Sequence, residues 1–286
     1  TYAMQKDLIL ATFGDMMRVP GSRLSLLQAK AEGAHIEVVY SPMDCIRLAK
    51  SHPEKRIIFL SAGFETTAPL AAATLHEAER LEVKGLLFYS IHKLVPPALR
   101  VLLDSDDVKI DGFILPGHVS AVIGSEPYQF IPNQYGVPCV ITGFKAEEIL
   151  AGISMLLRQI YEERPSVEIQ YSSVVRPEGN IKAMDFIDRF FEASDCYWRG
   201  IGLLPASGLR LKGQWSHRDS GRVIPVKVES MPEPKGCQCG LVLRGIKSPP
   251  ECPLFAKTCT PERPVGACMV SSEGSCAAYY KYSLPI

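Results

Sequence analysis

The chain has 286 residues, 47% of them apolar, with 31 basic and 31 acidic side chains for a formal net charge of zero. A chain of this size can bury one large or two moderate cores without a metal to hold the whole fold together, and its balanced charge gives no global field to steer nucleic acid or an anionic membrane surface. No stretch approaches the roughly 20 uninterrupted apolar residues of a membrane helix and no charged-then-apolar leader opens the chain, so a soluble, cytoplasmic protein is expected.

In chain order, β-rich apolar runs fall at residues 8–13, 36–41, 56–62, 85–91, 112–115 and 138–142. Between them, residues 24–31, 70–81 and 145–162 repeat apolar positions at three- and four-residue spacing, which predicts helices. Strands that are apolar throughout and alternate with helices indicate parallel pairing covered on both faces, because each parallel return needs a crossover. The fold class is therefore α/β, with the six strands either in one sheet or in three-stranded halves of two lobes. A second region over 167–235 reads as a strand at 167–175, a helix at 181–193 and a turn-rich connector. The cysteine-rich tail occupies 236–286, leaving 1–166 for the main α/β body.

Parallel strands end on one edge, so the loops that follow them converge on a crevice where open α/β proteins bind ligands. Asp15, Glu65, Thr66, Thr67, Lys93 and His118 all fall in such loops. Glu65 and His118, on one expected edge, are the candidates for proton transfer or positioning. Thr66 and Thr67 stand before Pro69, which equally suits a helix cap; Asp15 equally suits a surface ion pair; a histidine such as His118 is structural about as often as functional. Neither Gly-x-Gly-x-x-Gly after a strand nor Gly-x4-Gly-Lys-Ser/Thr occurs, so the nucleotide suggested by the fold class has no phosphate-binding fingerprint here.

Six of the nine cysteines lie in the tail, and four read Cys237-x14-Cys252-x6-Cys259-x16-Cys276. Four thiolates can close a tetrahedral zinc site or hold a cubane iron-sulfur cluster. Zinc ribbons favour tight Cys-x2-Cys pairs, whereas these four are widely strung with Pro249, Pro250, Pro253, Pro261 and Pro264 between them, so zinc stays possible but is not favoured. Disulfides would need an oxidising compartment, and nine is an odd number of thiols. Cys239 and Cys268 are left as spare redox thiols or as small apolar residues.

The stretches 12–22 (TFGDMMRVPGS), 63–69 (GFETTAP), 116–124 (PGHVSAVIG) and 259–282 (CTPERPVGACMVSSEGSCAAYYKY) resemble the HypD family of hydrogenase maturation proteins, over nearly the whole chain. The resemblance implies two Rossmann-like α/β lobes and a tail whose Cys237, Cys252, Cys259 and Cys276 ligate a [4Fe-4S] cluster. It further implies assembly of the Fe(CN)2CO half of the [NiFe]-hydrogenase site for the large-subunit precursor. In that work the small partner HypC helps to hold a transient iron while cyanide, delivered through HypE, and carbon monoxide are attached. Glu65 and His118, beside Asp15, Thr66 and Thr67, would then position or protonate what the iron receives. The iron is cargo, so a scaffold with redox chemistry is expected in preference to an independent enzyme.

The family also begins with a segment carrying Cys-Gly-x-His-x-His and Cys-Pro-x-Cys motifs. Neither motif occurs among these residues, and the expectation is a family member that lacks its beginning. Two rival readings stand beside this one: a zinc-stapled α/β enzyme acting on a small anionic metabolite, and an iron-sulfur redox sensor whose cluster switches partner binding.

Overall fold

The computed structural model describes residues 2–21, 23–226 and 235–283. Thr1, Ser22, residues 227–234 of the expected connector and the last three residues of the tail lie outside them.

The first sheet is parallel, with spatial order β2-β1-β3-β4. Its strands are β1 (Leu8–Thr12), β2 (Ile36–Val38), β3 (Arg56–Gly63) and β4 (Leu86–His92), linked by α1 (Leu26–Ala31), α2 (Asp44–Ser51) and α3 (Ala68–Arg80). A strand turns successive side chains to opposite faces, which explains why β1 and β3 carry apolar residues at consecutive positions. Ile9, Ala11, Ile57 and Phe59 face one core with Ala71, Ala72 and Leu75 of α3. Their neighbours Leu8, Leu10 and Ile58 face a second core with Ala29 of α1. Helix α1 starts at a reciprocal cap, in which Gln28 N–H donates to Ser25 Oγ at 3.2 Å and Ser25 N–H donates to Gln28 Oε1 at 2.9 Å.

After α4 (Val95–Leu103) the chain builds a second parallel sheet, β5-β6-β7, from Phe113–Pro116, Cys139–Thr142 and Val167–Ile169. Helices α5 (Gly117–Ile123) and α6 (Ala146–Tyr161) connect these strands, and Leu115, Cys139 and Ile141 pack with Val119, Ile123, Tyr128 and Ile131 in a separate core. The six expected strands are thus not three and three. Four belong to the first sheet and two to the second, and the second gains β7, which is only three residues long because the chain leaves the ladder at Gln170.

Helix α7 (Ile181–Phe190) returns to the first core, where Ile187 and Phe190 pack beside α3. It stops at Phe190, short of the expected 193. There Phe191 adopts extended backbone and opens β8 (Phe191–Trp198), paired antiparallel with β9 (Gly202–Leu211). Gly200 and Gly202 make the turn with φ of +87° and +114°, a region that favours glycine. The expected connector therefore contains a hairpin. It docks on the first sheet through Ser90 Oγ, which donates to the Leu209 carbonyl at 2.6 Å, and through Leu94 N–H, which donates to the Ser207 carbonyl at 2.9 Å.

Beyond a 3-10 turn at Gly213–Arg218, α8 (Ser220–Val223) completes this region. Arg218 is 5% exposed. Its Nε donates to Glu79 Oε1 at 2.5 Å and its Nη1 to the carbonyls of Leu86, at 3.0 Å, and Val83. Burying a guanidinium is stabilising only while those partners persist. Arg218→Ala is expected to lower stability by about 3 kcal/mol, because it leaves two buried carbonyls without their donor and takes one of the two cationic partners, Arg218 and His217, from Glu79; urea unfolding measures this, and a loss below about 0.5 kcal/mol would refute the role.

Among the described residues no helix is long and apolar enough to cross a membrane.

Candidate metal centre

The tail folds in short pieces because its prolines and glycines interrupt longer ones. Helices α9 (Cys239–Leu243), α10 (Ala267–Val270) and α11 (Ser275–Tyr282) are joined by a 3-10 turn at Pro249–Glu251 and an isolated bridge between Phe255 and Cys259. Ser248 opens the 3-10 turn, its N–H donating to Glu251 Oε2 at 2.7 Å. The tail is fixed to the body by Arg244, whose Nη1 meets both Asp107 carboxylate oxygens at 2.8 Å. It is also held where Gly240 passes Gly200, so closely that a Cβ on Gly240 would stand 2.6 Å from the Gly200 carbonyl oxygen.

These pieces bring Cys237, Cys252, Cys259 and Cys276 to one cavity, lined also by Cys239, Cys268, Val242, Leu254, Phe255, Gly266 and Met269. Cys237 is half-buried and the other five are buried, and none of the six is in a disulfide. Spacing picked out four of them, and the structure adds Cys239 and Cys268 to the same wall. Gly266 has to be glycine, since a Cβ there would lie 2.6 Å from Cys237 Sγ. The Val265 N–H donates to Cys259 Sγ at 3.3 Å, a contact that suits a sulfur carrying negative charge.

Electrostatics says what such a cavity wants. Burial, followed by the neighbouring thiols, pushes Cys276 up to about 11 and moves Cys237 in the same direction. For Cys268 the hydrogen bond with Cys239 is the first cause of an upward shift, and burial the second. Thiols crowded in an apolar hollow resist ionising together, and a bound cation reverses that balance because a coordinating thiol gives up its proton. The donor set therefore fits a thiophilic metal centre. Among the described residues, no three His, Cys, Asp or Glu side chains converge closely enough to share a single ion.

Cys45 and Cys139 are fully buried in the cores of the first and second sheets, and burial pushes both thiols up to about 12. Neither belongs to the tail centre.

The loop candidates follow strands of two different sheets, so Glu65 and His118 do not stand on one sheet edge. Glu65 follows β3 of the first sheet, whereas His118 follows β5 of the second. The crossover through α4 carries the chain from one sheet to the other between them. Glu65 is 3% exposed; its Oε1 accepts the Val95 N–H at the start of α4 at 2.9 Å, and its Oε2 has no partner among the described residues. Burial raises this carboxyl to about 7. His118 is exposed and stacks on Phe144, ring centroids 4.0 Å apart. Thr67 Oγ1 donates to the carbonyls of Ala62 and Phe64, at 3.1 and 3.2 Å, and so shapes the turn into α3. Thr66 is exposed beside it. Asp15 is exposed and accepts the Met16 N–H at 2.9 Å. His92, which the sequence places beside Lys93 among the polar groups after the fourth run, is the buried last residue of β4, and its Nδ1 lies 3.2 Å from Ser90 Oγ. Burial lowers its imidazole to about 4.

Comparison with known proteins covers the edge loops, both sheets and the tail together. A family model, HypD, described as the hydrogenase formation hypA family, matches residues 1–283. Hydrogenase maturation factor HypD of Cupriavidus necator is 42% identical over 288 residues, covering 98% of this chain and 76% of the relative. The protein of the same name from Azotobacter vinelandii is 43% identical with the same coverage, and that of Escherichia coli (strain K12) is 43% identical, covering 98% of this chain and 75% of the relative. A match that runs through every strand of both sheets and all six tail cysteines is one of whole architecture, and the chain belongs to the HypD family of hydrogenase maturation factors.

Proposed function

We propose that the tail holds a [4Fe-4S] cluster on Cys237, Cys252, Cys259 and Cys276, and that the protein is a scaffold with redox chemistry for building the Fe(CN)2CO centre of [NiFe] hydrogenase. The observation that supports this most is the cavity itself, on which six unbridged thiols meet, the four spaced cysteines among them. Four thiolates on a single zinc each stand about 2.3 Å from it and so crowd together, whereas a cubane seats each thiolate on a different iron and spreads them. Bound there, a cluster would supply single-electron transfer. Cys239 and Cys268, hydrogen-bonded to each other on the same wall, can release two electrons and two protons on closing to a disulfide, the currency a dithiol exchanges with its partners.

Glu65 and His118 serve the cargo side in this reading. A carboxyl that titrates near neutrality both gives and accepts a proton under working conditions, and Glu65 is held at the head of α4 by the Val95 N–H. The exposed His118 and Phe144 offer a flat face to an incoming group or partner. HypC and HypE are the proposed partners, the hydrogenase large-subunit precursor is the downstream recipient, and the cytoplasm is the compartment.

Anaerobic purification tests the assignment. The expected product is brown and carries about four iron and four sulfide per chain. Stoichiometric zinc in a colourless anaerobic preparation would overturn it in favour of a zinc-stapled tail.

A further inference from the structure

Lys93, the residue after β4, forms an isolated antiparallel bridge with Gly208 of β9 and reaches over the hairpin. Its Nζ lies 2.7 Å from Cys196 Sγ and 2.6 Å from the Tyr197 carbonyl oxygen, with the Trp198 ring centroid 5.6 Å away. The Val265 N–H in the tail stays 3.3 Å from Cys259 Sγ, so the lysine contact is the tighter of the two. Two features hold it. The β8–β9 register slips between Ser194 and Cys196, and a bulge of this kind re-aims a side chain. On the other side Gly208 presses close, since a Cβ there would stand 2.7 Å from Cys196 Cβ and 3.0 Å from its Sγ. The thiol has little freedom to swing away from the amine. Both residues are half-buried, and neither lines the tail cavity.

We propose that Lys93 and Cys196 are a modification site, joined under oxidising conditions by a covalent Nζ–O–Sγ bridge. The oxidant is dioxygen. Once the ammonium has given its proton to solvent, the amine and the thiol carry three hydrogens between them. One N–O and one O–S bond form, the O–O bond breaks, and one hydrogen stays on nitrogen. The other two leave with the second oxygen atom as water. Nitrogen and sulfur each lose two electrons, and dioxygen takes up the four. Four equivalents of a small thiol reverse the link, restoring amine and thiol and releasing water and two disulfides. The bridge would staple the end of β4 to the hairpin, independently of any metal in the tail.

The test uses the full chain purified without oxygen, divided into an anaerobic and an air-exposed portion, alkylated, digested and analysed by mass spectrometry. The expected result is a peptide pair joined through Lys93 and Cys196, heavier than its separate parts by about 14 Da, present only after air and removed by dithiothreitol. Lys93→Arg keeps the charge and the contact with the Tyr197 carbonyl, and should yield no joined pair. Cys196 recovered in air as an alkylated thiol, a sulfenic or a sulfinic acid with no joined pair would overturn the proposal. A joined pair about 2 Da lighter than its parts would also overturn it, because that mass belongs to a direct S–N bond.

Discussion

Cys259→Ser and Cys276→Ser are each expected to drop bound iron from about four atoms per chain to less than one, and to abolish hydrogenase activity in cells that depend on the altered factor. A serine hydroxyl is not ionised at neutral pH and is a harder donor than thiolate, so the soft site loses one of its corners. Cys45→Ser and Cys139→Ser supply the contrast. Both thiols sit in the cores of the sheets, so these changes should cost about 1–3 kcal/mol of stability through a buried hydroxyl and leave the iron in place. Iron retained at full stoichiometry in both tail variants would return the four cysteines to a packing role. The effect is all or none, which makes it the sharpest test of the tail.

Opposed titrations at Glu65 and His92 should give the protein a nearly flat stability between about pH 4.5 and 6.5. Glu65 has its folded-state value raised from 4.5 to about 7 by burial. Its contribution is present below pH 4.5 and is lost as pH rises to 7. His92 has its folded-state value lowered from 6.5 to about 4 by burial. The unfolded chain then binds the extra proton between these values, so stability grows as pH rises from 4 to 6.5. Each shift amounts to about 3 kcal/mol across its window, and in the overlap they cancel. Glu65→Gln should unmask the histidine, with stability rising by about 3 kcal/mol between pH 4 and 6.5. His92→Gln should unmask the glutamate, with stability falling by a similar amount between pH 4.5 and 7. Urea melts at a series of pH values decide the matter, and variants whose profiles run parallel to the parent's would show that these groups are not buried as described.

The sequence pattern was most readable where burial is two-sided. β1 and β3 are apolar at consecutive positions because both of their faces are covered, and that leaves little room for another reading. The tail cysteines were readable for a different reason, since thiols at such density have few uses outside metal or redox chemistry. What escaped was anything set by contacts distant in sequence. Pro96 and Pro97 look like breakers, yet they lie in the first turn of α4, where a missing N–H costs nothing. The period-2 pattern of β8 was absorbed into the helix before it, because Phe190 and Phe191 continue an apolar run while their backbones diverge. The shared sheet edge failed on topology: the loops after β3 and β5 look alike in sequence, and only the pairing assigns them to different sheets.

The return of α7 and the hairpin to the first core bears on how the chain is made. The first core joins residues from Ile9 to Phe88 with others from Ile187 to Leu211, and the whole second sheet lies between those two blocks. The second sheet is continuous in sequence, and a core of that kind can close while its own residues emerge from the ribosome, as domains generally do from the N-terminal end. The first cannot. Its strands come out before those of the second sheet, but the surface meant for Ile187, Phe190, Phe191 and Leu209 stays bare until about a hundred further residues have been added, a wait of about 5–20 s at common rates of synthesis. The sheet made first of the two is thus the later to finish, and in that interval the nascent protein has its greatest need of a chaperone.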